Sequence, residues 1–150
     1  MRLTCPACAA TGSIEFFLMD ASARSAVMAA FKLPSPLAKQ VMAYISLFRP
    51  PKRGLTWDRV DKLLSELMEP INSAQLTRNG LTVPAPIDYW KEALDQMLMK
   101  RDKLTLPLKS HGYLFEIISN MANKAAGARE IKKEQNMAYR YGRDGSSSPR

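Results

Sequence analysis

Two cysteines, a single histidine and several knots of basic residues are the side chains here with chemistry to offer. Cys5-Pro6-Ala7-Cys8 has the spacing of a zinc knuckle, in which two thiolates on a tight turn reach one tetrahedral metal. Gly12 and its small neighbours suit such a turn. A structural zinc takes four ligands, and no second Cys-x-x-Cys follows. Three arrangements fit: a half-site completed across a dimer, both cysteines joined by His111 with a carboxylate or water, or an exposed reducible pair that holds no metal. The last is the expectation adopted, with zinc as the one cofactor that Cys5 and Cys8 suggest. A thioredoxin-type redox role is disfavoured because no βαβ pattern surrounds the pair.

His111 sits in Lys109-Ser110-His111-Gly112-Tyr113. A general base needs a serine or cysteine within hydrogen-bond reach and a third group to orient it. A histidine just past a helix cap is more commonly structural, and that role is expected. The acidic pairs Asp58 with Asp61 and Glu66 with Glu69 stand at helical spacing opposite leucines, as solvated helix surface does. Neither GxxxxGK[ST] nor GxGxxG occurs, which disfavours an ATPase or a dinucleotide enzyme. The chain is expected not to be an enzyme.

The cations carry more weight because they cluster. Twenty-two Lys and Arg against 14 Asp and Glu leave a net charge of +8. That balance favours polyanionic partners, nucleic acid before an anionic membrane surface. Arg49, Lys52 and Arg53 share one prolyl loop, Arg49-Pro50-Pro51-Lys52-Arg53-Gly54, where like charges repel unless a counter-charge is near. Lys100, Arg101 and Lys103 end a helix, a place where cations also complement the dipole, and Lys109 follows closely. Lys124, Arg129, Lys132, Lys133, Arg140 and Arg143 run through the C-terminal segment, interleaved with Tyr139 and Tyr141. Aromatics among arginines can stack on unpaired bases while the cations hold phosphates. The expected nucleic-acid contacts are Arg49, Lys52, Arg53, Lys100, Arg101, Lys103 and Lys109, with Arg140 and Arg143 as a mobile clamp.

The elements that position these groups read as mainly helical. Ile14 to Leu18 is a short strand or an apolar lead-in. Asp20 is an N-cap for a helix to about Phe31, and Ser35-Pro36 opens a second carrying Leu37, Val41, Tyr44, Ile45 and Phe48. Thr56 caps a third, whose Trp57, Val60, Leu64, Leu67 and Ile71 recur at steps of three and four, with Pro70 as its expected end. Asn79-Gly80 between β-compatible runs signals a hairpin. Ile87, Trp90, Leu94, Met97 and Leu98 mark a fourth helix, and Ser110 caps a fifth with Leu114, Ile117, Ile118 and Met121. Trp57, Leu64, Leu67, Trp90, Leu94, Leu114 and Ile118 are the expected core.

The organisation follows: a Cys-x-x-Cys segment over 1–19, a compact core of about five helices with one short β-hairpin over 20–122, and a basic, partly disordered tail over 123–150. At 150 residues one domain can bury a core without disulfides. Helix, helix, basic loop, helix, hairpin, helix is the order of a winged-helix domain, although the link from Arg49 to Leu55 is long for one; an irregular bundle is the other reading. Two close cysteines form no disulfide framework, and no stretch approaches the roughly 18 apolar residues of a membrane span. The cytoplasm of a bacterium, or of a bacterial cell hosting a phage, is the expected place, with no membrane partner.

Three phrases, taken together, carry a resemblance. Cys5-Pro6-Ala7-Cys8 with Gly12-Ser13, Tyr44-Ile45-Ser46-Leu47-Phe48-Arg49-Pro50, and Leu106-Pro107-Leu108-Lys109-Ser110-His111-Gly112-Tyr113-Leu114 resemble small proteins from the replication and early-gene regions of tailed bacteriophages and prophages. The likeness covers about residues 1–120. It implies a role near phage DNA replication or early gene control and transfers no site residue. The expected function is therefore a phage-type nucleic-acid-binding accessory protein. The alternative is an adaptor engaging a phage or host replication protein such as a helicase.

Overall fold

The structure, a computed structural model, describes residues 2–4, 9 and 11–144, and the side chains of all of these except 16–18, 143 and 144. It is mainly helical. The chain opens with β1 (Arg2–Thr4) paired antiparallel to β2 (Thr11–Ser13), Leu3 opposite Gly12. Then come α1 (Ile14–Met19), α2 (Ala21–Phe31), α3 (Ser35–Ile45) and a 3-10 turn over Ser46–Phe48. After the prolyl loop follow α4 (Trp57–Ser73), the hairpin β3 (Gln75–Arg78) and β4 (Leu81–Pro84), α5 (Ile87–Met99), a second 3-10 turn over Arg101–Lys103 and α6 (Gly112–Asp144).

Local chemistry accounts for the boundaries. The Asp20 carboxylate accepts from the Ala23 N–H at 2.6 Å, and the Thr56 hydroxyl accepts from the Arg59 N–H at 3.4 Å, each satisfying an orphan donor of a first turn. Ser35 makes no such bond; Pro34 holds the capping position of α3. Pro70 does not end α4. It removes one backbone bond in the last turn, but buried Ile71 anchors that turn, which closes through Ala74 in the left-handed region at φ 52°. Asn79 and Gly80 both have positive φ, 51° and 76°, as a two-residue type I′ hairpin requires. The expected hairpin is present, in the register Leu76 opposite Val83 and Thr77 opposite Thr82. The first strand pair was not expected, since its six residues show no apolar alternation.

One core joins these elements. α2 lies against α4, α3 against α5, and α5 against α6. Leu64, Leu67, Trp90, Leu94, Leu114 and Ile118 are all buried, whereas Trp57, expected with them, is half-buried at the rim. Trp90 is wholly enclosed; its indole N–H donates to the Ala85 carbonyl at 3.0 Å and its ring meets Phe115 edge-on. Where the apolar stripe fades near Asn123, α6 continues to Asp144, so the first part of the expected tail segment, residues 123–144, is helical. Residues 145–150 lie outside the described ones.

Candidate functional site

The first cation-bearing segments meet through the backbone. The Leu108 N–H donates to the Leu47 carbonyl at 2.9 Å, tying the stretch before Lys109 to the 3-10 turn that runs into Arg49. Arg59, in the first turn of α4, clamps the junction from a third direction. Its guanidinium donates to the Lys109 carbonyl at 2.8 Å and lies 5.9 Å from the centre of the buried Phe48 ring. Arg49 and Lys109 flank this junction in sequence, Lys52 and Arg53 follow Arg49 in the prolyl loop, and all four are exposed. Among the described residues, no carboxylate forms an ion pair with any of the four. The result is a cationic rim held by an apolar base, without internal neutralisation.

Arg59 was absent from the expected contacts. A usable signal existed, because the first turn of a helix disfavours cations and favours acids. A cation placed there against the dipole invites the question of what holds it.

Other expected contacts lie apart. Lys100 caps α5, its N–H donating to the Gln96 carbonyl at 3.0 Å, and Arg101 and Lys103 occupy the exposed 3-10 turn that follows. They complement the dipole of α5, and among the described residues no hydrogen bond ties them to the Arg49 loop. Arg140 stands on α6, about 40 Å along the helix from Gly112 at a rise of 1.5 Å per residue. Arg143 follows in the same helix, its side chain outside the described ones. Both residues, expected as a mobile clamp, thus stand on the last turns of α6.

His111 is structural in its geometry. It is 3% exposed, and both ring nitrogens are engaged: Nδ1 with the Tyr44 hydroxyl at 3.0 Å and Nε2 with the Leu63 carbonyl at 3.1 Å. A carbonyl only accepts, so Nε2 carries the proton and Nδ1 accepts from Tyr44. Rings of Tyr44, Phe48 and Phe115 surround it. Desolvation pushes its pKa down; the Leu63 carbonyl and the Glu66 carboxylate, 3.5 Å from Nε2, oppose that shift without reversing it. With no nitrogen left over, His111 cannot serve Cys5 and Cys8 as a third zinc ligand. Cys5 and Cys8 themselves lie outside the described residues, in the connection between paired Thr4 and Thr11. Among the described residues no group of three or more His, Cys, Asp or Glu could hold a metal, and no helix is long and apolar enough to cross a membrane.

A family model described as an N-terminal domain, HI_1489_N, matches residues 1–110. Comparison with curated proteins and with solved structures gave no match.

Proposed function

For a chain that belongs to the HI_1489_N family, we propose a nucleic-acid-binding accessory protein that grips phosphates through the rim formed by Arg49, Lys52, Arg53 and Lys109. The observation that carries this reading is the junction beneath the rim. Cations 60 positions apart in sequence, Arg49 and Lys109, leave segments joined by the Leu108–Leu47 backbone bond and by the Arg59–Lys109 bond. Four exposed cations on a fixed base repel one another until a polyanion arrives, and a phosphate backbone supplies matching charge and releases counterions. Such contacts position a protein on nucleic acid without reading sequence. Lys100, Arg101 and Lys103 add positive charge at the end of α5 and in the turn that follows it. The setting, phage DNA replication or early gene control, rests on the phrases around Cys5, Tyr44 and His111. Electrophoretic shift of single- and double-stranded DNA at two salt concentrations tests the reading: binding that weakens at the higher salt supports it, and no shift at low salt overturns it.

A second reading, an adaptor for a phage or host replication protein, has one observation of its own. Val27, Met28 and Phe31 form an exposed apolar stripe along α2, with Phe31 81% exposed. Apolar side chains left outward at helical spacing suit a protein partner.

A further inference from the structure

The face of α6 changes character along its length without changing direction. At about 100° per residue, Leu114, Ile118, Ala122 and Ala125 fall within an arc of about 100°, and the first three are buried. Beyond the core, the positions in that same arc are Arg129, Lys132, Lys133, Asn136 and Arg140, with Arg143 in register after them. Glu130 and Glu134 fall outside the arc. Residues 129–142 are all exposed, so this part of the helix carries its basic side in line with the buried stripe but packs it against nothing among the described residues.

The stripe is costly for an isolated helix. Arg129 stands three and four positions from Lys132 and Lys133, a spacing at which like charges destabilise a helix by a few tenths of a kcal/mol per pair. Arg140 has a dipole-complementing role near the C-terminus, but Arg129, Lys132 and Lys133 are too far from that end for it. Strong helix formers (Ala, Arg, Glu, Lys, Gln and Met) carry the segment instead of packing.

We infer that α6 from Arg129 to Arg140 lies in the major groove of double-stranded DNA, its cationic stripe bridging the phosphates that wall the groove. This deepens the nucleic-acid reading above and rests on it. Charge names the polyanion and shape selects the duplex. A single helix fits a major groove about 12 Å wide, and the stripe runs about 16 Å at 1.5 Å per residue. Single strands are held by aromatic platforms beside cations. Tyr139 and Tyr141, two positions apart, point to nearly opposite sides of a helix and cannot form one platform. The stripe also lies outside the residues matched by the family model.

The test uses the full chain with a 40-base-pair duplex and a 40-nucleotide strand, lengths chosen as roughly four helical turns. One variant replaces the stripe: Arg129→Gln, Lys132→Gln, Lys133→Gln and Arg140→Gln. A second adds Ala126→Lys, Ala128→Lys, Gln135→Lys and Ala138→Lys, restoring the charge around the rest of the helix at exposed positions. With a slope of about −0.9 per phosphate, the stripe variant should flatten the duplex salt dependence by about 3–4 units of log K per log salt. It should lose more affinity for duplex than for the single strand, and the scattered variant should not recover it. An unchanged slope, recovery by the scattered variant, or a loss equal for strand and duplex overturns the groove assignment. If the slope stays while Arg49, Lys52 and Arg53 prove necessary, the stripe fails and the proposed function stands; if the unmodified chain binds neither nucleic acid, both fall. Loss of binding to phosphatidylglycerol vesicles with duplex affinity intact assigns the stripe to a membrane surface and likewise overturns it.

Discussion

The Tyr44 hydroxyl meets Nδ1 of His111 at 3.0 Å inside the core; with the Nε2 proton held by the Leu63 carbonyl and burial favouring the neutral ring, Tyr44 is the donor. That bond joins α3 to the start of α6, and the Leu63 carbonyl joins both to α4. Burial raises the value at which Tyr44 would ionise. The lone histidine therefore acts as a three-way polar pin beneath the cationic rim.

A pH dependence follows from the direction of the His111 shift. Its folded pKa is depressed, so below the ordinary value of about 6.5 the unfolded chain binds a proton that the folded chain refuses. This contribution to stability is complete above about pH 6.5 and is lost as pH falls from there toward the depressed folded value. His111→Phe removes the titration but leaves the Tyr44 hydroxyl and Leu63 carbonyl without their partner, at a cost of about 2–4 kcal/mol at neutral pH. Melting temperatures at pH 7.5 and pH 5.5 (settings either side of that histidine value) should differ more for the natural chain than for the variant. Equal differences would remove His111 from the acid response.

Burial separates two residues that share one helical stripe. Leu64→Ala should cost about 2–5 kcal/mol, because the site is enclosed on every side. Trp57→Ala, at the rim of the same helix, should cost less than the 3–5 kcal/mol of a fully buried tryptophan. Urea denaturation measures both, and a larger loss at Trp57 than at Leu64 would contradict the packing.

Much of this was legible because the signals are local. Asp20 and Thr56 cap their helices through side-chain oxygens three residues from the donors, and Asn79-Gly80 supplies the two positive φ angles of its turn. The stripe from Val60 to Ile71 announces α4, since one face of that helix is buried and the other is not. What escaped depends on distance or on propensity without packing. No pattern marks a backbone bond between Leu47 and Leu108, which are brought together only by the packing of whole helices. α6 beyond Asn123 has no apolar periodicity because it covers no core, and helix formers alone sustain it. Pro70 reads as a stop, yet a buried Ile71 one residue later outweighs one missing hydrogen bond. The cation set was readable as composition, and Arg59, the residue that seats the rim, was marked only by its place against the dipole in the first turn of α4.

The engagement of both His111 nitrogens bears on Cys5 and Cys8. Any zinc held through this pair should be dispensable for the core, since no second Cys-x-x-Cys completes the four ligands of a structural site. Elemental analysis of the purified protein, with melts of a Cys5→Ser, Cys8→Ser variant, is the check. A melting temperature within a few degrees of the natural chain is expected, corresponding to less than about 1 kcal/mol. Collapse of the whole domain would make the pair a structural metal site.

The rim makes the most direct demand. The affinity of the natural chain and of an Arg49→Ala, Lys52→Ala, Arg53→Ala variant should be measured for two unrelated duplexes across about 50–200 mM salt, the range over which phosphate contacts separate clearly. Log K should fall linearly with log salt for the natural chain, and the variant's slope should be shallower by about 2–3 units, three cations at about 0.9 each. The change should be equal for both sequences, because phosphate contacts carry no base information. An unchanged slope in the variant, or no binding by the natural chain at the lowest salt, would contradict the account.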